Sequence, residues 1–129
     1  MGKKCIICVD DEKIILDSLR GQLNRHFGKQ FVYEFAESGE EALEILDELN
    51  EQEYDIILII SDWLMPNMKG DEFLIKAHAK FPNVHKLMLT GQANDKAIRN
   101  LIKEIESLKV IYKPWQEMQI MDEVMIGLK

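Results

Sequence analysis

The strongest constraint on the fold is an uninterrupted aliphatic run from Ile56 to Ile60. Side chains along a strand point alternately to the two faces of a sheet, so a strand without polar residues is buried on both faces. Strands of this kind lie at the centre of parallel sheets that carry helices on both sides. The run leads directly into Ser61 and Asp62. The sequence therefore predicts a central strand whose carboxyl end carries an acid.

Segments with strand and helix periodicity alternate along the chain. Predicted strands cover residues 4–9, 30–36, 54–60, 86–89 and 110–112. Predicted helices cover residues 15–27, 38–49, 71–81, 94–106 and 116–128. Gly28 is expected to end the first helix, and Ser38 is expected to form a capping box with Glu41 at the second. This alternation predicts an α/β fold with a doubly wound, five-stranded parallel sheet and helices on both faces.

The length, and the lack of a Gly- or Ser-rich linker or an internal repeat, favour one domain over residues 1–129. No apolar run approaches the roughly 18 residues that span a bilayer, and the amino terminus lacks the pattern of a signal peptide. We therefore expect a cytoplasmic protein without membrane contact. The formal net charge of −7 argues against direct nucleic-acid binding, because phosphate backbones attract basic surfaces.

The two cysteines, Cys5 and Cys8, form a C-x-x-C pair. A redox pair of this spacing lies at the start of a helix, whereas this one lies inside a predicted strand, where residues three apart point to opposite faces. No further zinc ligands occur nearby, and His26, His78 and His85 lack the spacing of metal ligands. We expect both cysteines to be buried core residues.

Polar residues follow four of the predicted strands directly. They are Asp10 and Asp11 after strand one, Asp62 after strand three, Thr90 after strand four and Lys113 after strand five. Because ligands bind beyond the carboxyl ends of parallel strands, we expect these side chains to lie together. Three carboxylates in one crevice repel each other, and a divalent cation removes that conflict. Hard oxygen ligands with few other donors are typical of Mg²⁺.

A carboxylate beside Mg²⁺ and a lysine is suited to phosphoryl transfer. That reaction needs in-line positioning and neutralised charge on the phosphoryl oxygens more than it needs covalent help. Asp62 is the candidate nucleophile, which would form an acyl phosphate. The cation and Lys113 would hold two phosphoryl oxygens, and the Thr90 hydroxyl would donate to another.

Four short segments of this chain occur together in one known family. They are Asp10-Asp11, the stretch D-x-x-M-P-x-M-x-G that begins at Asp62, Leu89-Thr90-Gly91, and Lys113-Pro114. Each segment is unspecific alone, but the four in register make the whole chain resemble the receiver domains of response regulators, the CheY-like family. The resemblance implies a flavodoxin-like (βα)5 fold with strand order 2-1-3-4-5.

The resemblance also implies a phosphoacceptor and its metal. Asp62 would accept a phosphoryl group, in a Mg²⁺-dependent reaction, from the phosphohistidine of a sensor histidine kinase or phosphotransfer protein. Asp11 and Asp62 would bind the Mg²⁺, with Asp10 helping through water. The backbone carbonyl of Leu64 would be a further ligand.

Two further residues would have catalytic roles by the same resemblance. Thr90 would move towards the phosphoryl group after transfer. Lys113 would contact a phosphoryl oxygen and would precede a cis bond to Pro114. The domain would thus be a regulatory phosphoacceptor that catalyses only its own phosphorylation and dephosphorylation, and not an enzyme in the ordinary sense.

Phosphorylation would reshape the surface of helix four, strand five and helix five by a population shift. That surface would contact an output domain or effector protein, or would form a homodimer. The alternative is a degenerate receiver that works only as a phosphorylation-independent binding module, and the intact acid set argues against it.

Several positions decide how closely the chain follows the family. Many receivers carry an aromatic switch residue three before the lysine, where this chain has Val110; Tyr112 has the same strand parity. Leu64 and Gln92 occupy the positions that tune hydrolysis. Because Leu64 cannot orient an attacking water, we expect a long-lived phosphoaspartate. Trp63 is expected at the rim of the site.

Other functions of an α/β fold are less well supported. A flavin mononucleotide site needs a phosphate-binding loop after strand one, where Asp10, Asp11 and Glu12 would repel phosphate. An aspartyl phosphatase needs a second acid two residues after Asp62, where Leu64 stands. No G-x-x-x-x-G-K-[ST] loop occurs, which argues against a nucleotide hydrolase.

Overall fold

Strands and helices alternate in the order that the hydrophobic periodicity predicts. The computed structural model describes residues 2–91 and 96–129. The strands are β1 (Lys4–Val9), β2 (Val32–Ala36), β3 (Asp55–Asp62), β4 (His85–Thr90) and β5 (Lys109–Tyr112). The helices are α1 (Lys13–Phe27), α2 (Gly39–Glu51), α3 (Gly70–Lys80), α4 (Lys96–Glu104) and α5 (Glu117–Leu128), with a 3₁₀ turn at Gly28–Gln30.

All paired strands are parallel, in the order β2-β1-β3-β4-β5. The predicted fold and strand order are confirmed. Strand β3 lies at the centre, between β1 and β4, which explains why its residues from Ile56 to Ile60 are apolar and buried on both faces. Because every strand runs the same way, the carboxyl ends of β1, β3, β4 and β5 meet at one edge of the sheet.

Two hydrophobic clusters fill the space above and below the sheet. One joins alternate strand residues to the buried sides of α2, α3 and α4, and the other joins the remaining strand residues to α1 and α5. Cys5 belongs to the first cluster and Cys8 to the second, and both are free and fully buried, as predicted. Burial raises the pKa of both thiols, to about 12 at Cys5. Neither is a reactive thiolate.

Some boundaries differ from the prediction. Strand β2 begins at Val32 and not at residue 30, because Gly28 ends α1 with a φ of 52° and a 3₁₀ turn follows. Strands β3 and β4 continue through Asp62 and Thr90, so each polar residue is the last of its strand. Most other ends differ by one or two residues.

Helix α4 is shorter than predicted, since it ends at Glu104 and not at residue 106. The chain turns there while Ile105 and Leu108 remain buried, so the apolar periodicity continues past the helix. The predicted start of this helix at residue 94 lies outside the described residues.

The cap of α2 also differs in detail. The Ser38 hydroxyl accepts a bond from the Glu41 amide at 3.1 Å, as a capping box requires. The Glu41 carboxylate instead accepts from the amide of Glu37, one position earlier than predicted.

A lysine is wholly buried at the start of β4. The ammonium of Lys86 donates to the carbonyl oxygens of Phe81 and Val84, both at 2.7 Å, and so closes the connection from α3. Burial lowers the pKa of Lys86 to about 8. In the described part of the chain, no helix combines the length and apolarity needed to cross a bilayer.

Candidate functional site

Three carboxylates meet at the edge formed by the carboxyl ends of the strands. Asp10, Asp11 and Asp62 each offer an oxygen within 4.8 Å of the other two. Asp10 and Asp62 are buried, whereas Asp11 is exposed at the mouth of the site. The aspartates named from the sequence therefore lie together, although they are far apart along the chain.

Backbone bonds hold the first aspartate in place. The Asp10 amide donates to the carbonyl of Ala36 at 3.0 Å, which ties the end of β1 to the end of β2. The Asp10 carboxylate accepts a 2.8 Å bond from the amide of Glu12, just before α1 begins. Asp10 is thus oriented by the main chain on both sides.

Lys113 enters the same crevice from the end of β5. Its ammonium donates to Asp62 at 2.8 Å and reaches Asp10 at 3.5 Å. Burial opposes the charge of Lys113, but the bond to Asp62 and the attraction of both aspartates outweigh burial and raise its pKa. Lys113 is therefore positively charged and in contact with Asp62, the carboxylate that the sequence predicts to be the nucleophile.

The ionised forms of Asp10 and Asp62 are destabilised at this site. Burial raises the pKa of Asp10 to about 6, and Asp62 adds to the rise, while the Glu12 amide and Lys113 oppose it. Burial likewise raises the pKa of Asp62, against the bond and charge of Lys113 and with a contribution from Asp11. Three carboxylates and one ammonium leave an excess of negative charge in a poorly solvated crevice.

This donor set fits a hard divalent cation. Carboxylate oxygens at one open edge, with one aspartate exposed to solvent, suit Mg²⁺, which keeps several waters and needs only one or two carboxylates. A bound cation would offset both the burial of negative charge, which is the main reason that the pKa values of Asp10 and Asp62 are raised, and the repulsion between the carboxylates. Asp11 and Asp62 would hold it, with Asp10 behind them.

A proton and the cation should compete at this site. Because burial raises the folded-state pKa of Asp10 to about 6, above the ordinary aspartate value of 3.8, the folded protein binds more protons than the unfolded chain between these values. The stability of the metal-free protein should therefore fall as pH rises through this window. The increase in melting temperature caused by Mg²⁺ should be larger at about pH 7.5 than at about pH 5.

Thermal unfolding in Mg²⁺ and in EDTA, at both pH values, measures this difference. Asp10→Asn should reduce it, because one of the two raised carboxyl pKa values at the site is removed. Equal Mg²⁺ increments at both pH values in the unmodified protein would contradict the expectation.

The loop after Asp62 is folded back on the strand. The Trp63 amide donates to the carbonyl oxygen of Leu89 at 3.1 Å, and the Gly70 amide donates to the carbonyl oxygen of Trp63 at 2.9 Å. Asn67 takes a left-handed conformation at φ 70°, which asparagine tolerates. Leu64, whose carbonyl is the expected metal ligand, has a side chain that is 51% exposed.

The expectation that Trp63 forms the rim of the site is wrong. Its side chain is only 3% exposed and belongs to the core cluster beneath α2, α3 and α4, together with Met65 and Met68. The reason is the bond from the Trp63 amide to β4, which extends the sheet pairing by one residue and turns the indole away from Asp62.

Gly70 has a role that the sequence reasoning did not identify. A β-carbon on Gly70 would lie 2.1 Å from the carbonyl oxygen of Asp62, so a side chain cannot be accommodated without movement. The signal was present in the glycine that closes the D-x-x-M-P-x-M-x-G stretch. Only the folded loop shows that the backbone of Gly70 lies too close to the Asp62 carbonyl for a side chain to fit.

The remaining site residues lie at the same edge. Thr90 is buried as the last residue of β4, and its carbonyl accepts a 2.8 Å bond from the amide of Lys113. The Lys113–Pro114 bond is cis, as the resemblance implied. Val110 is half-buried and Tyr112 is 47% exposed. Gln92 lies outside the described residues.

Comparison with known proteins gives consistent matches. A model of the response regulator receiver domain family matches residues 6–125. The sensor kinase CckA of Brucella abortus (strain 2308) is 31% identical over 101 residues, which cover 78% of this chain and 10% of that protein. The chain thus spans about a tenth of the length of the curated relative.

Two solved structures share the whole fold. The signal receiver domain of an HD domain-containing protein from Pseudomonas fluorescens Pf-5 is 26% identical with a TM-score of 0.84, covering 98% of this chain and 94% of that one. A receiver domain protein (CheY-like) from Methanospirillum hungatei JF-1 is 27% identical with a TM-score of 0.82, covering 97% and 93%.

Proposed function

The chain belongs to the response regulator receiver domain family of two-component systems, and from this premise we propose that Asp62 is its phosphoacceptor. The phosphodonor is the phosphohistidine of a sensor histidine kinase or phosphotransfer protein. Receiver domains interact with such proteins, and the related proteins carry output domains. The protein is then a regulatory phosphoacceptor and catalyses only its own phosphorylation and dephosphorylation.

The observation that carries the proposal is the contact between Lys113 and Asp62. The ammonium lies 2.8 Å from one carboxylate oxygen of Asp62, beside two further aspartates. A surface lysine or a capping aspartate would not need this arrangement. Charge neutralisation next to a fixed carboxylate is what phosphoryl transfer requires from a protein.

Transfer of the phosphoryl group to Asp62 needs no reactant besides the phosphohistidine donor. An ionised Asp62 oxygen attacks phosphorus in line, an O–P bond forms, the N–P bond of the phosphohistidine breaks, and the leaving imidazole takes up a proton. Bound Mg²⁺ supplies charge neutralisation at the phosphoryl oxygens. Lys113 orients Asp62, favours its ionised form and then contacts a phosphoryl oxygen, while the Thr90 hydroxyl donates to another.

Intact mass after brief incubation with acetyl phosphate and Mg²⁺ tests this function. One added phosphoryl group, absent when EDTA replaces Mg²⁺, supports the acceptor and its metal requirement together. No adduct at the earliest times would favour the degenerate receiver, a phosphorylation-independent binding module.

The proposed readout is the surface of α4, β5 and α5. Large apolar side chains are exposed there, namely Ile102, Tyr112, Met118, Met125 and Ile126. Exposed apolar groups of this size are common where proteins bind partners. We propose that phosphorylation changes this surface and so controls an effector, an output domain or a homodimer.

The phosphoryl group should be lost slowly, as the side chain at position 64 predicts. Leu64 follows the acceptor by two residues, its side chain is 51% exposed, and it has no polar atom to orient water. Leu64→Asn should shorten the phosphoaspartate lifetime by about tenfold, below the 10²–10⁴-fold range of well-placed acid–base groups. Decay of the intact-mass adduct after the donor is removed measures this. Equal or slower decay in the variant would refute the role of Leu64.

A further inference from the structure

The position of the Lys113 ammonium depends on a short connection between β5 and α5. Residues 113–116 have no regular secondary structure. The Lys113 amide donates to the carbonyl oxygen of Thr90 at 2.8 Å, which ties the start of the connection to β4. From there a long and flexible side chain reaches the Asp62 carboxylate. The rest of the connection must therefore be held by other contacts if the ammonium is to have one position.

Trp115 attaches this connection to α1. Its Nε1–H donates to the side-chain oxygen of Gln22 at 2.9 Å. The ring is partly buried and packs against the hydrophobic cluster that lies between the sheet and helices α1 and α5. The amide nitrogen of Gln22 lies 3.5 Å from the Ser18 hydroxyl, one turn earlier in α1, so one orientation of the amide serves both contacts. A helix side chain thus fixes the residue that follows Lys113 and Pro114.

A cleft separates α1 from the connection beside Lys113. It has a volume of about 390 Å³ and is lined by Ile15, Ser18, Gln22, Lys113, Pro114 and Trp115. The proline has no backbone N–H and cannot donate a hydrogen bond across this space. Because the cleft leaves the connection loosely packed here, the bond between Gln22 and Trp115 has more influence on its position than a single bond in a packed core would have.

Exposed polar side chains also join α1 to the start of α5. The carboxylate of Glu117 contacts Arg25 and His26, and the three side chains are 31%, 64% and 36% exposed, respectively. Water and salt screen such contacts, so they hold the connection weakly. The bond between Trp115 and Gln22 is partly buried and joins two uncharged groups, so salt does not screen it. Trp115 is also closer to Lys113 along the chain than Glu117 is.

We propose that Gln22 is a positioning residue for phosphoryl transfer, which acts through Trp115 on Lys113. Gln22 holds the indole, the indole holds the connection, and the connection sets where the Lys113 ammonium can reach. Before the reaction, the contact with Asp62 also holds the ammonium. During transfer the ammonium must leave Asp62 for a phosphoryl oxygen, so its position then depends on the backbone that carries it.

This inference rests on the proposed function, and the initial rate of adduct formation from acetyl phosphate at saturating Mg²⁺ tests it. Gln22→Met removes the acceptor of the indole bond but keeps the length and the helix propensity of the side chain. The rate should fall on the order of tenfold, since small displacements of a reacting group are costly. Mg²⁺ affinity should stay equal or rise, because the lysine repels the cation. A general loosening of the domain would lower both quantities.

Three further variants separate the hydrogen bond from other effects. Gln22→Glu keeps an acceptor oxygen at the same place and should restore most of the rate. Trp115→Phe removes the donor and should slow the reaction, and its combination with Gln22→Met should add little, because both remove the same bond. Asn24→Met is the matched control, since Asn24 is exposed in the same helix, and it should leave the rate unchanged.

A second readout needs no phosphorylation and so separates this inference from the proposed function. Limited reductive methylation, located by peptide mass, should modify Lys113 faster in Gln22→Met than in the unmodified protein, while the exposed Lys4 reacts equally in both. No adduct on the unmodified protein would count against the proposed function, and faster labelling would still support the positioning of Lys113 by Gln22. Equal labelling of Lys113, a full rate of adduct formation in Gln22→Met, a parallel loss of Mg²⁺ affinity, or no rescue by Gln22→Glu would overturn the role of Gln22.

Discussion

Replacing Asp62 by asparagine is expected to abolish the phosphoryl adduct. Asparagine has the shape of aspartate and can still accept the bond from Lys113, which lies 2.8 Å away in the unmodified protein. It has no ionised oxygen to attack phosphorus, so the loss should be complete and not partial. Intact mass after incubation with acetyl phosphate and Mg²⁺ measures it directly.

The same substitution should not unfold the domain. Asp62 is buried and its pKa is raised, so the ionised carboxylate costs stability when no cation is bound. Removing it should leave the melting temperature in EDTA equal or higher. The rise in melting temperature caused by Mg²⁺ should shrink, because one of the proposed ligands has lost its charge.

Asp55→Asn is the matched control at the other end of the same strand. Asp55 begins β3, its side chain is 56% exposed, and it bonds Lys4 across the surface. This variant should be phosphorylated like the unmodified protein. An adduct of equal yield on Asp62→Asn would refute the assignment of the acceptor, and an adduct on neither would support the degenerate receiver.

Replacing Gly70 by alanine is expected to damage the metal site without touching an acid. The added β-carbon would lie 2.1 Å from the Asp62 carbonyl oxygen and 3.0 Å from the Trp63 Cα, and both are backbone atoms that cannot rotate away. The loop from Trp63 to Gly70 must therefore move off the end of β3. That loop carries Leu64, whose carbonyl is the expected ligand of the cation.

The expected size of this effect is large for a single methyl group. Overpacking of this kind costs about 1–3 kcal/mol of stability. Mg²⁺ affinity should fall about 10- to 100-fold, the range seen when the groups that support a metal site are disturbed. Isothermal titration with Mg²⁺ and the initial rate of adduct formation measure the two consequences.

Gly21→Ala provides the same substitution in open space. Gly21 lies within α1, and the nearest atom to an added β-carbon is the Arg25 guanidinium at 3.8 Å. Alanine is favoured over glycine in a helix, so this variant should be equally stable or more stable, with unchanged Mg²⁺ affinity. If Gly70→Ala behaved like Gly21→Ala, the close approach would not matter to the site.

The residues of the site could be named from the sequence because strand ends are local features. An apolar run that stops at an acid, a lysine before a proline and a threonine before a glycine are each visible in the chain. The parallel fold then brings such ends to one edge. Asp10, Asp11, Asp62, Thr90 and Lys113 all lie at that edge.

The features that sequence reasoning missed depend on backbone contacts that form only in the folded chain. Trp63 follows the acceptor and precedes turn residues, so a position at the rim was the natural expectation, but its amide bonds to Leu89 and its indole is buried. The pattern of residues in β4 does not predict that the side chain of Lys86 is buried. Its charge is tolerated because two carbonyls accept from it.

The succession of strands and helices along the chain, the central place of β3 and the identity of the acids could all be derived from the sequence, because they are encoded in hydrophobic periodicity and in polar residues at strand ends. Tertiary structure decided what no single segment contains. The 2.8 Å contact between Lys113 and Asp62 and the 2.7 Å contact between His85 and Glu123 join residues far apart in the chain, and the absence of space at Gly70 exists only once the loop has folded back on β3. Distances, burial and the resulting pKa shifts arise only when those segments pack.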